Sequence, residues 1–213
     1  MSKALLIIGA GGHASVLVDI LRQQNREILG IVSPEIELKN RVFDGIEHFK
    51  NDDDVLKFDN QSVKLVNGLG SLPGNNLRTV LFSKFKGLGY EFETVIASNS
   101  IVSEYVELAE GVQIFNGAIV QTNVIIGANS IINTGSIIEH DCVIGGNNHI
   151  APGVTLSGNV STSEHVHIGT GASVIQSISI GENSIIGAGT IATKNIADNI
   201  ISYPSKGITK VIK

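Results

Sequence analysis

The residues best suited to chemistry lie in the second half of the chain. Glu139-His140-Asp141 puts an imidazole beside a carboxylate, and His149 follows nine residues later. An acid next to an imidazole orients it and strengthens it as a general base near neutral pH. His149 and His167 lie 18 residues apart, and His165 and His167 lie two apart. Three clustered histidines suit zinc, so a metal reading stands beside the general base. Near the start, Gly9-Ala10-Gly11-Gly12-His13-Ala14 follows an apolar run and opens a helical pattern. The spacing approaches Gly-x-Gly-x-x-Gly, with Ala14 in the third glycine's place. Such a turn lets backbone N–H groups approach a diphosphate at a helix N-terminus. The acid expected about 20 residues on to hold a ribose is here Glu35, which follows Ser33-Pro34 and reads as a turn residue. A nucleotide-diphosphate site fits better than a hydride-carrying cofactor. His48 reads as a helix or turn surface residue and Cys142 as a packed thiol.

The elements that must hold these residues differ between the two parts of the chain. Counting in sixes from Val102 to Ile186 gives 15 positions, of which 14 are aliphatic and Thr162 is the exception. Four residues after each stands a small or β-branched side chain, among them Val112, Ser130, Cys142, Asn148 and Val160. A period of six fits neither a helix nor an alternating strand. It predicts a coil of short flat strands, three hexads to an 18-residue turn, with residues 18 apart stacked at roughly 4.8 Å. The aliphatic residues fill the interior, and Gly or Asn turns the corners at positive φ. About five turns of parallel β-helix follow between 102 and 192. His140 and Asp141 fall off the interior register.

The first 97 residues alternate strand and helix with short glycine turns, which predicts a small parallel α/β sheet. Strands are expected at Lys3–Ile8, Ile28–Val32, Val63–Val66 and, closing the unit, Phe92–Ile96. Helices are expected at His13–Gln24, with Val16, Leu17, Ile20 and Leu21 inward, and at Asn76–Lys84. Residues 51–60 read as a solvated helix or loop. The division is 1–97 and 98–213.

Composition narrows the function. The 213 residues carry a net charge of −5, 24 glycines, no tryptophan and a single cysteine, which leaves no intrachain disulfide and no multi-cysteine zinc site. All 15 Lys and Arg lie at or before Lys86 or at or after Lys194. Residues 87–193 therefore offer no basic stripe, and nucleic-acid binding is excluded. No signal peptide and no membrane-spanning run is expected, so the protein reads as cytoplasmic.

With these residues placed, the chain resembles the hexapeptide-repeat acyltransferases. More narrowly it resembles sugar acetyltransferases that join an N-terminal Rossmann-like nucleotide-binding domain to a left-handed parallel β-helix. These include N-acetyltransferases of UDP-4-amino sugars and of perosamine, and sialic acid O-acetyltransferases. The likeness rests on Gly9-Ala10-Gly11-Gly12-His13-Ala14, Asn67-Gly68-Leu69-Gly70-Ser71 with Arg78, Ile138 to Gly145, His149-Ile150-Ala151-Pro152-Gly153 and Leu156-Ser157-Gly158-Asn159-Val160. Left-handedness comes from this likeness, since crossovers elsewhere are right-handed.

The resemblance implies acetyl transfer from acetyl-CoA, with no metal, to a nucleotide-linked 4-amino-4,6-dideoxy sugar, UDP being the favoured nucleotide. His140 is implied as general base, with Asp141 raising its basicity. His149 is implied beside the acetyl group, and the Gly158 N–H facing the thioester carbonyl. Backbone around Thr170 and Ala188 is implied to line the pantetheine groove, with Lys206 or Lys194 for the 3′-phosphate. Gly11, Gly12, His13, Gly70 and Ser71 are implied to hold the sugar nucleotide. Ser33 stands where many relatives carry a paired acid. A homotrimer with sites between prisms is expected. The alternatives are O-acetylation of a sialic acid or similar hydroxyl, a zinc hydratase of the γ-carbonic-anhydrase type, and a non-catalytic sugar-nucleotide scaffold.

Overall fold

The structure is a computed structural model, and it describes residues 3–36 and 41–204. In the α/β unit, β1 (Ala4–Ile8), α1 (Gly12–Gln23), β2 (Ile28–Val32), β3 (Glu47–Phe49), β4 (Val63–Asn67) and α2 (Leu77–Gly87) build one parallel sheet in the order β3-β2-β1-β4 with two helices. β1 alternates its side chains between two cores. Leu5 and Ile7 pack on the α1 side, and Leu6 and Ile8 pack on the α2 side with Leu81 and Phe85. On α1 the buried residues are Ala14, Leu17, Val18, Ile20 and Leu21, so Val18 takes the fully buried place expected of Val16.

Two expectations are corrected here. His48 lies on β3, where its Nε2 bonds the carbonyl of Ser33 at 2.7 Å and so carries the ring proton. Three residues with two charged or polar side chains give no periodic signal, which is why the strand was not expected. Val95–Ile96 does not close the α/β sheet; it pairs in parallel with Gln113–Ile114 and begins the coil, while Phe92 alone bridges to Leu65.

From residue 95 the chain winds as a left-handed parallel β-helix. From Val95–Ile96 to Ile191–Ala192 two-residue strands recur every six residues and stack 18 apart, and Ile201–Ser202 joins 16 residues after Ile185–Ile186, which makes three sheets of seven, six and five strands. Register is strict: Ile131 and Ile132 pair with His149 and Ile150, and these with His167 and Ile168. The second residue of each strand points inward, and Ile114, Ile132, Ile150, Ile168 and Ile186 are fully buried. The single non-aliphatic position is compensated: Thr162 Oγ1 accepts from the side-chain nitrogen of buried Asn148 at 2.6 Å. Cys142 is fully buried and donates weakly to the Ser157 carbonyl, as a packed thiol does.

Corners follow the same period. From Gly111 to Gly189 every sixth residue has positive φ, and Gly, Asn, Asp141, His165 and Ser177 occupy those places. The glycines directly after the inward aliphatics serve another purpose. A Cβ on Gly169 would stand 2.6 Å from the Ala188 backbone nitrogen, so Gly169 permits close approach of successive coils. Among the described residues, no helix is long and apolar enough to cross a membrane.

Candidate active site

One edge of the prism carries the imidazole–carboxylate pair. His140 and Asp141 turn the corner between strands Ile137–Ile138 and Val143–Ile144, both well exposed to solvent. His140 Nδ1 lies 2.7 Å from Asp141 Oδ2, and Asn123 Nδ2 donates to Asp141 Oδ1 at 3.1 Å. Those two hydrogen bonds, that from His140 first, hold the Asp141 carboxyl below its usual range. The ionised carboxylate fixes the proton on Nδ1 and leaves the Nε2 lone pair free as a base.

Gly158 stacks one coil above this ring. A Cβ there would meet His140 Cε1 at 2.6 Å and Nε2 at 2.7 Å, so only glycine leaves the ring its place. The Gly158 carbonyl accepts from Ser177, while no described backbone carbonyl accepts the Gly158 N–H. A base with an open lone pair thus adjoins an unspent backbone donor.

His149 stands on a different face. It begins strand His149–Ile150 and is turned toward the α/β unit, where its Nδ1 bonds the Ser71 carbonyl at 2.8 Å. Asn133 Oδ1 accepts the Thr134 N–H, so the Asn133 amide nitrogen faces His149 Nε2 at 3.0 Å. Burial, then the ring of His167, pushes the His149 pKa down to about 4. His167 packs edge-on against it with ring centroids 4.9 Å apart, as their 18-residue spacing predicts. His167 Nδ1 is buried with no partner among the described residues. Beside these rings runs a groove of ≈ 390 Å³ between Ser71–Asn76 with Thr79 and the prism residues Asn147, His165, His167 and Ile185. Among the described residues, no group of three or more His, Cys, Asp and Glu side chains is placed to hold a metal ion.

Thr170 and Ala188 are exposed on one corner, joined by the Gly189 N–H to the Thr170 carbonyl at 2.9 Å. Lys206 lies outside the described residues. A single chain therefore does not hydrogen-bond His140 to His149; the two occupy separate faces.

Gly11, Gly12, His13, Gly70 and Ser71 follow the carboxyl ends of β1 and β4, on either side of the point where the strand order reverses, and Ser33 follows β2 next to them. Open parallel sheets bind ligands at such a point. The two glycine turns are pressed together there: a Cβ on Gly68 would be 2.8 Å from that of Ala14, and one on Gly9 2.9 Å from Leu69. Gly11 and Gly12 are exposed, and no side chain caps α1. Gly70 backs onto the His13 side chain. Ser33 is engaged within its own turn, its hydroxyl donating to the Glu35 carbonyl at 2.9 Å.

Several residues that shape this region had no role assigned from sequence. Buried Arg78 donates to the carbonyls of Asn67, Leu69 and Asn129, and burial lowers its pKa to about 9. Gln113 links His13 to Asn67, and Asn133 meets His149. Gln113 had one available signal. It occupies an outward strand position whose stack mates are Val95, Ile131, His149, His167 and Ile185.

Residues 4–85 match the family model described as PglD N-terminal domain, and residues 123–158 the one described as bacterial transferase hexapeptide (six repeats). No curated protein sequence matches the chain. Among solved structures, PerB from Caulobacter crescentus in complex with CoA and GDP-perosamine is 30% identical, with 95% of each chain covered and a TM-score of 0.84. A mutant of perosamine N-acetyltransferase from the same organism, with a histidine replaced by asparagine and also in complex with CoA and GDP-perosamine, is 29% identical. That match covers 95% of this chain and 94% of that one, again with a TM-score of 0.84. The acetyltransferase domain of PglB from Neisseria gonorrhoeae in complex with acetyl coenzyme A shares the fold. It is 23% identical, covers 98% of this chain and 100% of that one, and has a TM-score of 0.86.

Proposed function

The chain belongs to the hexapeptide-repeat sugar acetyltransferases, CoA-dependent enzymes, and on that premise we propose that it acetylates the amino group of a nucleotide-linked amino sugar. The observation that carries this reading is the open Nε2 of His140 beside the unspent N–H of Gly158. The acceptor amine attacks the thioester carbonyl, forming a C–N bond as the C–S bond breaks. His140 Nε2 takes the amine proton, and the departing thiolate of CoA is protonated in turn. Asp141 holds the imidazole in the accepting tautomer and favours the imidazolium that forms. The Gly158 N–H meets the carbonyl oxygen as it gains charge. No acyl-enzyme forms, because Cys142 is buried inside the prism and, among the described residues, the histidines that meet a serine bond only its backbone carbonyl.

The acceptor's nucleotide binds between the turns Gly9–His13 and Gly68–Ser71, and its diphosphate meets the uncapped start of α1. Gly11, Gly12, His13, Gly70 and Ser71 line it, with Ser33 at the neighbouring strand end. The acetyl group lies beside His149, and the pantetheine arm runs past Thr170 and Ala188. Because His140 and His149 occupy separate faces, His140 of one subunit serves the nucleotide-side site of the next in a homotrimer. Exposed apolar Ile125 and Val143, on the strands beside the His140 corner, support a covered surface there. The sugar is of the 4-amino-4,6-dideoxy class. The resemblance favours UDP, and the 30% identical relative was crystallised with GDP-perosamine.

The test is thiol release from acetyl-CoA against UDP-, dTDP- and GDP-linked 4-amino sugars and free sialic acid. Turnover with one amino sugar supports the proposal. Turnover with sialic acid alone moves the reaction to O-acetylation, and silence throughout removes support for either.

A further inference from the structure

A buried polar chain joins the α/β unit to the prism through Gln113, which is fully buried. The Gln113 amide nitrogen donates to the Asn67 carbonyl at 2.8 Å, and Arg78 donates to the same carbonyl at 2.9 Å. A carbonyl only accepts, so the Gln113 amide oxygen must face the other way, toward His13 Nε2 at 2.7 Å. An acceptor at that distance requires the proton of the His13 ring to sit on Nε2.

Burial, then the Arg78 guanidinium, drives the His13 pKa down to about 3, and His149 pushes in the same direction. Among the described residues no carboxylate opposes them; only the hydrogen bond to Gln113 pulls the other way. The ring is therefore neutral, packed against Phe115 at 5.0 Å between centroids, with its only proton committed. Its Nδ1 bears a lone pair, and among the described residues nothing hydrogen-bonds it.

We infer that Gln113 is a positioning residue that fixes His13 as a hydrogen-bond acceptor, and that His13 reads a donor on the sugar, a hydroxyl or an amine, rather than the diphosphate. The inference rests on the proposed function, in which the two glycine turns hold the nucleotide sugar. The diphosphate bridge of a nucleotide sugar has only anionic oxygens and no proton to give, so a lone pair aimed at it repels it. The open N–H groups of α1 take that anion. His13, at the second position of the same helix, takes the sugar beside it.

Three measurements on the full-length protein test this. Nitrogen NMR of the histidine rings in the free protein should show His13 neutral and protonated on Nε2 at neutral pH; a proton on Nδ1 would overturn the inference. Calorimetry then compares GDP-perosamine with GDP, and a UDP-linked 4-amino sugar with UDP. His13→Phe keeps ring volume without an acceptor and should weaken nucleotide-sugar binding about tenfold, leaving the bare nucleotide unaffected. His13→Asn, which returns an oxygen near the Nδ1 position, should recover most of that loss. Equal losses toward bare GDP and UDP would place His13 on the diphosphate and overturn the inference.

Gln113→Glu keeps an acceptor for Nε2–H but adds a negative charge, which raises the His13 pKa. Nucleotide-sugar affinity should then weaken relative to wild type as pH falls from about 8 to about 6, the ratio of the two cancelling the titration of the sugar amine itself. Packing damage alone would lower affinity by the same factor relative to wild type at every pH, and that result would overturn the role of Gln113. The NMR and His13 measurements stand even if the Gln113 variant fails to fold. A wild type that binds no nucleotide sugar would sink the functional reading and this inference together. A wild type that binds normally, with indifferent variants, sinks the inference alone.

Discussion

His140 and Asp141 are chain neighbours whose side chains meet across 2.7 Å, because Asp141 occupies the left-handed corner of its coil at φ 62°. In an extended strand consecutive side chains point to opposite faces and could not pair. In the proposed mechanism the corner thus serves fold and chemistry at once. Asn fills most of the equivalent non-glycine corners, so Asp141→Asn should leave the melting temperature nearly unchanged. It removes the charge that favours the imidazolium, and kcat should fall about tenfold. Thermal melts and steady-state rates on one preparation separate the two effects.

Gly158→Ala should act on the rate rather than on the fold. Its φ is not in the left-handed region, but the new Cβ would stand 2.6 Å from His140 Cε1, and the ring must move. A base displaced by about 1 Å loses roughly 10²-fold in kcat. The KM for the nucleotide sugar should change little, since the proposal places that ligand on the α/β unit. A variant with wild-type kcat would show that the ring has no fixed place during catalysis.

The buried histidines predict the direction of acid sensitivity. His13 and His149 have pKa values of about 3 and about 4, below the ordinary value of 6.5, and both are neutral in the folded protein. Between those values and 6.5 the unfolded chain binds more protons, so stability rises with pH across that window. It is complete above about 6.5 and is lost as pH falls, by about 1.4 kcal/mol per pH unit for each ring at most. Denaturant midpoints from about pH 7 to about pH 4 check the slope. His13→Gln and His149→Gln should each flatten it.

The Asn148–Thr162 pair predicts a defect of stability alone. Asn148 Nδ2 donates to Thr162 Oγ1 at 2.6 Å and to the Ser163 carbonyl at 2.9 Å, and its Oδ1 accepts the Val166 N–H at 2.7 Å. Asn148→Val strips all three and leaves buried groups unpaired, at a cost on the order of 2–3 kcal/mol. Thr162→Val takes away one acceptor of Asn148 and the secondary acceptor of the Gly145 N–H, which keeps the Thr162 carbonyl, and should cost about 1 kcal/mol. Equilibrium unfolding gives both numbers, and kcat at 25 °C should be unchanged in each.

The repeat made the prism legible residue by residue. A period of six assigns the inward set from Ile114 to Ile186 without reference to any tertiary contact, and the 18-residue stack follows from it. What the period could not show was which exception matches which. Thr162 and Asn148 lie on different strands, and their pairing depends on coil geometry. The His140–Asp141 pair was readable because both partners are adjacent in sequence. The links of His13 to Gln113 and of His149 to Ser71 span 100 and 78 residues between two units of unlike periodicity. No local pattern registers them. β3 escaped for the opposite reason: three residues, Glu47–Phe49, are too few to show a period.

The most direct test of the account is kcat for His140→Ala on the nucleotide-linked amino sugar that the thiol-release panel identifies. Loss of the general base should lower kcat by about 10²–10⁴-fold, with dissociation constants for acetyl-CoA and the nucleotide sugar held near wild type. A variant that keeps kcat within a few-fold of wild type would contradict the assignment of His140 as the base.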